Sequence, residues 1–579
     1  MTLHFQWMCP GEFCRVKGIV RLKTEAHHLK KSPVLQLGLI LTVSLACISS
    51  LTLAQTPQGS ETSTSRAKDI ARPVVNSNEP AQDSDAAIIQ ELERMRDRIQ
   101  QLETELKQRR AVTTTNVDSG TAWPPPAQEL VSKSEAPAHV TDASPSSEKP
   151  AKADPFAFAD FTWLNGNART KTAAFDSKFF TPEIRADVDY IYDFHHPQDD
   201  TISGSSEVFR ANEIQLTQLG VGGDFHYDHV RARLMTQFGM YSQTTPRNDA
   251  SPLRGQWNLD NAYRYVSEAY GGYHFDAMHG INVDAGIFMS YVGLFSYYNF
   301  DNWAYQPSYV SSNTPWFFNG VRVQFFPTEH LKIEPWFVNG WQAYGRFNNR
   351  PGIGGQILWR PNGWLSILGN QYAFGADALG VPSRIRYHTD DSIQIKYYDN
   401  PEGFISKAAF SLTGDAGCEH GGGVSCAGNS VKIVNGQRVV WPKQSFLGYM
   451  IYNRLWFHRD LYALTVGGGK INNPGRYLVL LPPINGATAE SGTPYFTENP
   501  GDPYKAWDIS GTFDWMPSQY ITFRWEYNHR ADNVPYFSGP GGVTPPGGNQ
   551  GPPGSLVQGW APDLVHSENR LNMAILVKF

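Results

Sequence analysis

The chain ends Leu571-Asn572-Met573-Ala574-Ile575-Leu576-Val577-Lys578-Phe579, and the reading of this stretch decides the fold. Leu571, Met573, Ile575, Val577 and the terminal Phe579 share one face, while Asn572, Ala574, Leu576 and Lys578 share the other. That two-residue period belongs to a strand. The same grammar runs upstream as far as Asp154. Between Glu183 and Phe194, Ile184, Ala186, Val188, Tyr190, Tyr192 and Phe194 oppose Arg185, Asp187, Asp189, Ile191 and Asp193. Between Val230 and Met240, Val230, Ala232, Leu234, Phe238 and Met240 oppose Arg231, Arg233 and Gln237, with Thr236 breaking the apolar set. Ile521, Phe523, Trp525 and Tyr527 oppose Thr522, Arg524, Glu526 and Asn528. A soluble sandwich hides the apolar set in a shared core, whereas a barrel in lipid turns it outward around a polar lumen. Alternation alone fits both.

Connection lengths separate the two cases. Short turns are expected at Tyr227-Asp228, Asp276 to His279, Pro327 to Glu329, Arg360 to Gly363, His458 to Asp460 and Met516 to Ser518. Between them lie long irregular stretches: Ser242 to Asn261, Tyr291 to Thr314, Asp415 to Lys443, Asn472 to Pro503 and Asp532 to Val565. Tight turns on one rim and long loops on the other are what a transmembrane barrel requires, and lipid demands that it close. Tyr227, Phe275, Phe325, Phe326, Trp359, Trp364, Phe457, Trp515 and Tyr520 stand near strand ends, as an interfacial aromatic girdle would. The expected fold is therefore all-β, a transmembrane antiparallel barrel of about sixteen strands.

Composition agrees. Of 579 residues, 18% are charged and 13% aromatic, with 55 Asp+Glu against 49 Lys+Arg. A mean hydropathy of -0.40 excludes a bundle of apolar transmembrane helices, and the acidic balance is wrong for a nucleic-acid binder. After Lys30 and Lys31 an uncharged apolar stretch, Val34 to Leu53, ends in Leu53-Ala54-Gln55, with small residues at the cleavage-determining positions; residues 1–54 read as leader and signal peptide. Their removal takes six basic and two acidic residues, leaving 43 against 53 and a net charge of -10. Residues 55–87 read as a disordered spacer. In 88–110, Ile88, Leu92, Met95, Ile99, Leu102 and Leu106 recur at alternating spacings of four and three, the seam of a short coiled coil suited to self-association, with a homotrimer as the expected outcome. A Pro/Ser/Ala-rich linker, 111–153, leads to the barrel at 154–579. The two cysteines left after cleavage, Cys418 and Cys426, flank a glycine-rich loop and are expected to pair in an oxidising compartment; the rival is a metal site through His420.

From about Phe156 to Phe579 the sequence resembles the outer-membrane β-barrel porin family described as OmpL-like, of bacteria. The residues that carry it are Phe-Ala-Asp-Phe-Thr-Trp-Leu-Asn-Gly at 158–166, the strand-turn-strand from Phe317 to Trp341 with its Val338-Asn339-Gly340-Trp341, the turn Trp359-Arg360-Pro361, and the last strand. The resemblance implies a porin-like channel of the Gram-negative outer membrane, without naming a substrate. Leu571, Met573, Ile575, Val577 and Phe579 also resemble the address by which such barrels are recognised by the barrel assembly machinery.

By alternation the lumen is lined by Arg185, Asp187, Asp189, Arg231, Arg233, Arg322, Lys332, Glu334, Lys396, Arg454, Arg524 and Glu526. Charges of both signs across a pore select small polar solutes, although each can also pair with its lateral neighbour and merely keep the lumen wet. Phe295, Tyr297, Tyr298, Phe300, Trp303, Tyr305 and Tyr309 crowd one stretch, the candidate narrowing loop; such rings either stack on a solute or pack the loop on the wall, and packing is the expectation. The expected function is a water-filled diffusion channel, with no enzymatic activity, no cofactor, no metal and no nucleic-acid partner. The alternatives are a structural or adhesive barrel, and a barrel hydrolase whose only constellations would be Asn528-His529 near Asp532 and His226-Tyr227-Asp228-His229. The coiled coil is expected in the periplasm.

Overall fold

The computed structural model describes residues 154–202, 208–246, 249–376, 381–422, 424–428, 430–434, 436–441, 443–474, 504–548 and 557–579, together with Arg96 and Gln100. The signal peptide, spacer and linker, and the seam residues Ile88, Leu92, Met95, Ile99, Leu102 and Leu106, lie outside the described residues. The sheet belongs to the unit 142–579, which is described by itself.

Its strands are β1 (Phe180–Asp193), β2 (Ile214–Tyr227), β3 (Val230–Thr236), β4 (Val266–Phe275), β5 (Ile281–Met289), β6 (Phe317–Thr328), β7 (Leu331–Val338), β8 (Gly352–Asn362), β9 (Leu365–Gly375), β10 (Ile385–Asp399), β11 (Ile405–His420), β12 (Ser430–Val434), β13 (Gln437–Trp441), β14 (Ser445–Phe457), β15 (Tyr462–Asn473), β16 (Tyr504–Ser518), β17 (Ile521–Asp532), β18 (Phe537–Ser538), β19 (Leu564–Val565) and β20 (Ser567–Lys578). Sixteen of them, all except β12, β13, β18 and β19, form one closed antiparallel barrel in which each strand pairs with the next. β12–β13 and β18–β19 are small hairpin-like pairs within the long connections.

The last strand closes the ring. β20 pairs with β17 on one side and with β1 on the other, from Arg185 opposite Lys578 to Asp193 opposite Arg570. At the seam the Phe579 N–H donates to the Ile184 carbonyl at 2.9 Å, and the Phe579 ring stacks on Tyr520 with centroids 5.6 Å apart. Closure leaves no unpaired edge to face hydrocarbon.

Burial alternates as the sequence pattern requires. In β1, Arg185, Asp187, Asp189, Ile191 and Asp193 are buried while the residues between them are more exposed. In β17, Thr522, Arg524, Glu526, Asn528, Arg530 and Asp532 are the buried set. The outer set includes Ile184, Val221, Leu234, Val283, Ile357, Leu412, Ile451, Val466, Phe513, Trp525 and Ile575, all among the exposed large hydrophobics. Large apolar side chains outside and guanidinium groups inside are the inverse of a soluble domain, and this is the arrangement lipid selects.

Connections at one rim are short, at 228–229, 276–280, 329–330, 363–364, 400–404, 458–461 and 519–520, and those at the other are long. Four features differ from the sequence reading. The wall begins at Phe180, and 154–179 precede it as a strap, because Pro155 and the run of small and aromatic residues after it have no two-residue period. β11 continues to His420, since Glu419 is tied to Arg384 and Arg386 on the neighbouring side. A further long connection, 194–213, and a further tight turn, 400–404, are not among those expected, although Pro197-Gln198-Asp199-Asp200 and Asn400-Pro401-Glu402-Gly403 carry turn chemistry. Cys418 and Cys426 are joined by a disulfide.

Candidate functional site: the interior of the barrel

The long stretch between β5 and β6, residues 290–316, folds into the bore, and the inward charges of the wall grip its backbone. Glu526 accepts from the amides of Tyr305 at 2.6 Å and Gln306 at 2.8 Å. Asp508 accepts from the Ser308 hydroxyl at 2.7 Å and the Tyr309 amide at 3.0 Å. The carbonyls are held by arginines. Arg524 donates to the carbonyls of Asn299, Asn302 and Ala304 at 3.0, 2.7 and 3.2 Å, Arg454 to that of Trp303 at 3.1 Å, and Arg530 to that of Pro307 at 2.8 Å. Asp187 accepts from Asn299 and from the Tyr305 hydroxyl. Carboxylates thus meet N–H groups and guanidinium groups meet carbonyls, so a polar loop is buried without orphaning its backbone.

Asp301, in this loop, bridges to Arg185 at 2.8 Å and Lys578 at 3.2 Å. Burial pushes its carboxyl up, but the two cations outweigh that and hold it down at about 2. Tyr297 donates to Gln237 at 3.0 Å and Tyr298 to Glu268 at 2.9 Å. Phe300 and Tyr305 pack on Ile191, Ala574 and Leu576, whereas Trp303 packs on Met450 and Trp456, with Phe295 beside them. Tyr309 lies with Phe446, Ile471 and Tyr504. The aromatic cluster of this loop is therefore seated on the wall and on itself.

The inward charges fall into two groups. Arg185, Asp187, Asp189, Glu334, Arg454, Arg524 and Glu526 are buried, and all of these except Asp189 and Glu334 hold the loop directly; Asp189 accepts from Thr217. Arg231, Arg233, Arg322 and Lys332 stay partly open, with side-chain exposures of 29%, 11%, 14% and 15%. Each is paired laterally: Arg231 with Asp284 at 3.2 Å, Arg233 with Glu183, Asp224 and Glu268, Arg322 with Asp284 at 3.0 Å, and Lys332 with Glu334. Lys396 stands near the short-turn rim beside Asp399. On this arc, β2 to β5 border a cavity of ≈ 850 Å³ lined by Asp224, His226, Arg231, Tyr270, His274 and Asn282, among others.

The strap is the part that the sequence pattern did not place. The Phe156 amide donates to the Glu329 carbonyl at 2.8 Å, and Arg360 lies over the rings of Phe156 and Phe161. Trp163, fully buried, donates to the Gly363 carbonyl at 3.1 Å. The Gly166 amide donates to the Asp301 carbonyl at 2.9 Å, and its own carbonyl accepts from Arg454 at 2.7 Å. Asn167 then reaches Ser518 and Thr522, and Arg169 the carbonyls of Met516 and Pro517. The segment thus crosses the mouth of the bore from the β6–β7 and β8–β9 turns to the β16–β17 turn and touches the inserted loop midway.

Of the constellations considered for hydrolysis, Asn528-His529 with Asp532 comes apart, whereas His226, Tyr227, Asp228 and His229 all border the cavity at the β2–β3 turn. Asn528 and Asp532 face inward, whereas His529 lies on the outer face against Trp507. His229, at the β2–β3 turn, faces His274 and Asp276.

Residues 185–429 match the family model described as "Putative beta-barrel porin-2, OmpL-like". Over that span, less than half of its length, the chain is similar to OmpL-like porins. It is an outer-membrane β-barrel with a porin-like fold. The OmpL-like match opens on Arg185, an anchor of Asp301, and takes in the whole inserted loop. No curated protein matches the chain. Among solved structures, similarity is found to the in-vitro-folded OmpT of Vibrio cholerae in its trimer form (10% identity, 70% of this chain and 100% of that one, TM-score 0.38), to an anion-selective porin from Comamonas acidovorans (12%, 69% and 99%, 0.38) and to the outer-membrane channel DcaP of Acinetobacter baumannii (12%, 70% and 100%, 0.37).

Proposed function

We propose that this barrel is a diffusion channel for small polar solutes. The observation that carries the reading is the β2–β7 arc, where Arg231, Arg233, Arg322 and Lys332 alternate with Asp224, Asp284, Glu268 and Glu334 beside a cavity at the short-turn mouth. Interleaved charges of both signs on a partly wetted wall favour polar solutes over apolar ones. The inserted loop supplies a constriction with a fixed backbone, in which the aromatic side chains pack and the charged wall filters. The short-turn rim is periplasmic on this reading, the N-terminal coiled coil lies in the periplasm and drives homotrimer formation, and the C-terminal strand is the part presented to the assembly machinery.

The test is single-channel recording of the purified mature protein in planar bilayers, with sugars, phosphate or dicarboxylates added in turn. Stable conductance steps that one solute class blocks are expected, grouped in threes for a trimer. Silence from a folded, heat-modifiable barrel would sink the channel reading.

A further inference from the structure

We infer that the strap at residues 156–170 is a displaceable plug of the bore. This rests on the channel reading and adds its regulation.

The segment lies inside the mouth. Trp163 and Ala168 are fully buried, and Trp163 packs with Trp303, Met450, Tyr452 and Met516, which belong to the inserted loop and the inner wall. It is nevertheless outside every β-ladder. It is tied to the far side by side-chain bonds to turn carbonyls, from Arg169 to Met516 at 2.7 Å and from Thr170 to Gln519 at 2.8 Å, and its amide bonds are isolated ones. Its departure would therefore leave the sixteen-strand ring unbroken.

The seat is built for it. Gly166 passes so close to the inserted loop that a Cβ there would stand 2.3 Å from the Phe300 carbonyl oxygen and 2.4 Å from that of Asn302. Arg454 binds the Gly166 carbonyl and the Trp303 carbonyl with one guanidinium, so strap and loop share an anchor. Withdrawing the strap frees one side of that anchor and the Asp301 carbonyl together.

The experiment uses the full mature chain in two arms. In the first, Ala159→Cys with Gly363→Cys locks the strap: a Cβ on residue 363 would lie 2.9 Å from that of Ala159, inside the ~3.8 Å of a disulfide, so the pair closes after a shift of about 1 Å. The oxidised form is expected to show the smallest open fraction. Reduction should restore the wild-type value, and wild type treated with the same reductant controls for Cys418–Cys426. Gly166→Val, which unseats the strap, is expected to raise the open fraction several-fold. In the second arm, Ala168→Cys is exposed to a polar maleimide: labelling should be slow, and at least tenfold faster when Gly166→Val is added. Currents indifferent to both the lock and Gly166→Val, or labelling indifferent to Gly166→Val, would overturn the plug. Silence from every form with labelling that still responds would instead remove the channel reading, and the gate with it.

Discussion

Asp249 sits in the long connection between β3 and β4, 2% exposed, accepting from the Tyr344 amide at 2.9 Å and the Ser251 hydroxyl at 2.5 Å. Burial pushes its carboxyl up from 3.8 to about 6, against the pull of those hydrogen bonds. A carboxyl whose folded pKa is raised opposes folding in its ionised form. Its neutral form is favoured below the unfolded value, and the opposition grows as pH rises from about 4 to about 6, then levels off. The linked cost is on the order of 2 kcal/mol at neutral pH. Asp249→Asn keeps an acceptor for Tyr344 without the charge. Protection of the Tyr344 amide against hydrogen exchange, corrected for intrinsic rate, should fall between pH 4 and 7 in wild type and stay level in the variant. A parallel fall in both would mean that another group governs the loop.

At the scale of elements, the inserted loop and the wall stabilise each other, and Arg524 is the hinge of that exchange. It holds three loop carbonyls and the Asp514 carboxylate, all buried. Arg524→Ala leaves those carbonyls without their donor and Asp514 with Arg454 as its remaining cation, a loss of about 3–5 kcal/mol for a broken buried pair. The temperature at which the barrel loses its heat-modifiable migration should drop by several degrees, and the loop should become protease-sensitive while the wall persists. Glu526→Gln should act in the same direction but less, by about 1–3 kcal/mol, since an amide still offers one acceptor to Tyr305 or Gln306. Equal melting of loop and wall in Arg524→Ala would show that the loop is not a separable element. The sequence exposed the charges but not their use. Alternation put Arg524 and Glu526 on the inner face, because that needs only the local period of two. Their partners lie more than two hundred residues away, as in Arg524 to Asn302 and Glu526 to Tyr305, and no pattern in either stretch names the other. The strap was hidden for the same reason: the bond from Arg454 to Gly166 spans 288 positions. Its one local signal was a tryptophan and a glycine in a run too short and aperiodic for a strand.

The whole molecule was legible because lipid imposes one rule on every strand, and the same rule makes its exception informative. On the outer face of β9 and β10, Asp391 accepts from the Thr389 hydroxyl at 3.0 Å and from the Gln371 amide at 3.4 Å. The strand partners of Asp391 are Gly369 and Gly414, so a carboxylate stands on a flat, small-residue patch about halfway along β10. Among the described residues no Lys or Arg forms an ion pair with it. A charge on the lipid face costs about 2–4 kcal/mol at mid-depth for a basic residue and less for an acid, and its two hydrogen bonds recover part of that. Asp391→Leu should therefore stabilise the barrel by about 1 kcal/mol in urea unfolding from lipid vesicles. The same change at Glu419, which faces inward in β11 and holds Arg384 and Arg386, should destabilise it by about 3–5 kcal/mol. The opposite signs follow from the side of the wall alone. If Asp391→Leu instead lowered stability by more than about 1 kcal/mol, larger than the loss of its two exposed hydrogen bonds would explain, the outer face of β10 would not be in contact with lipid.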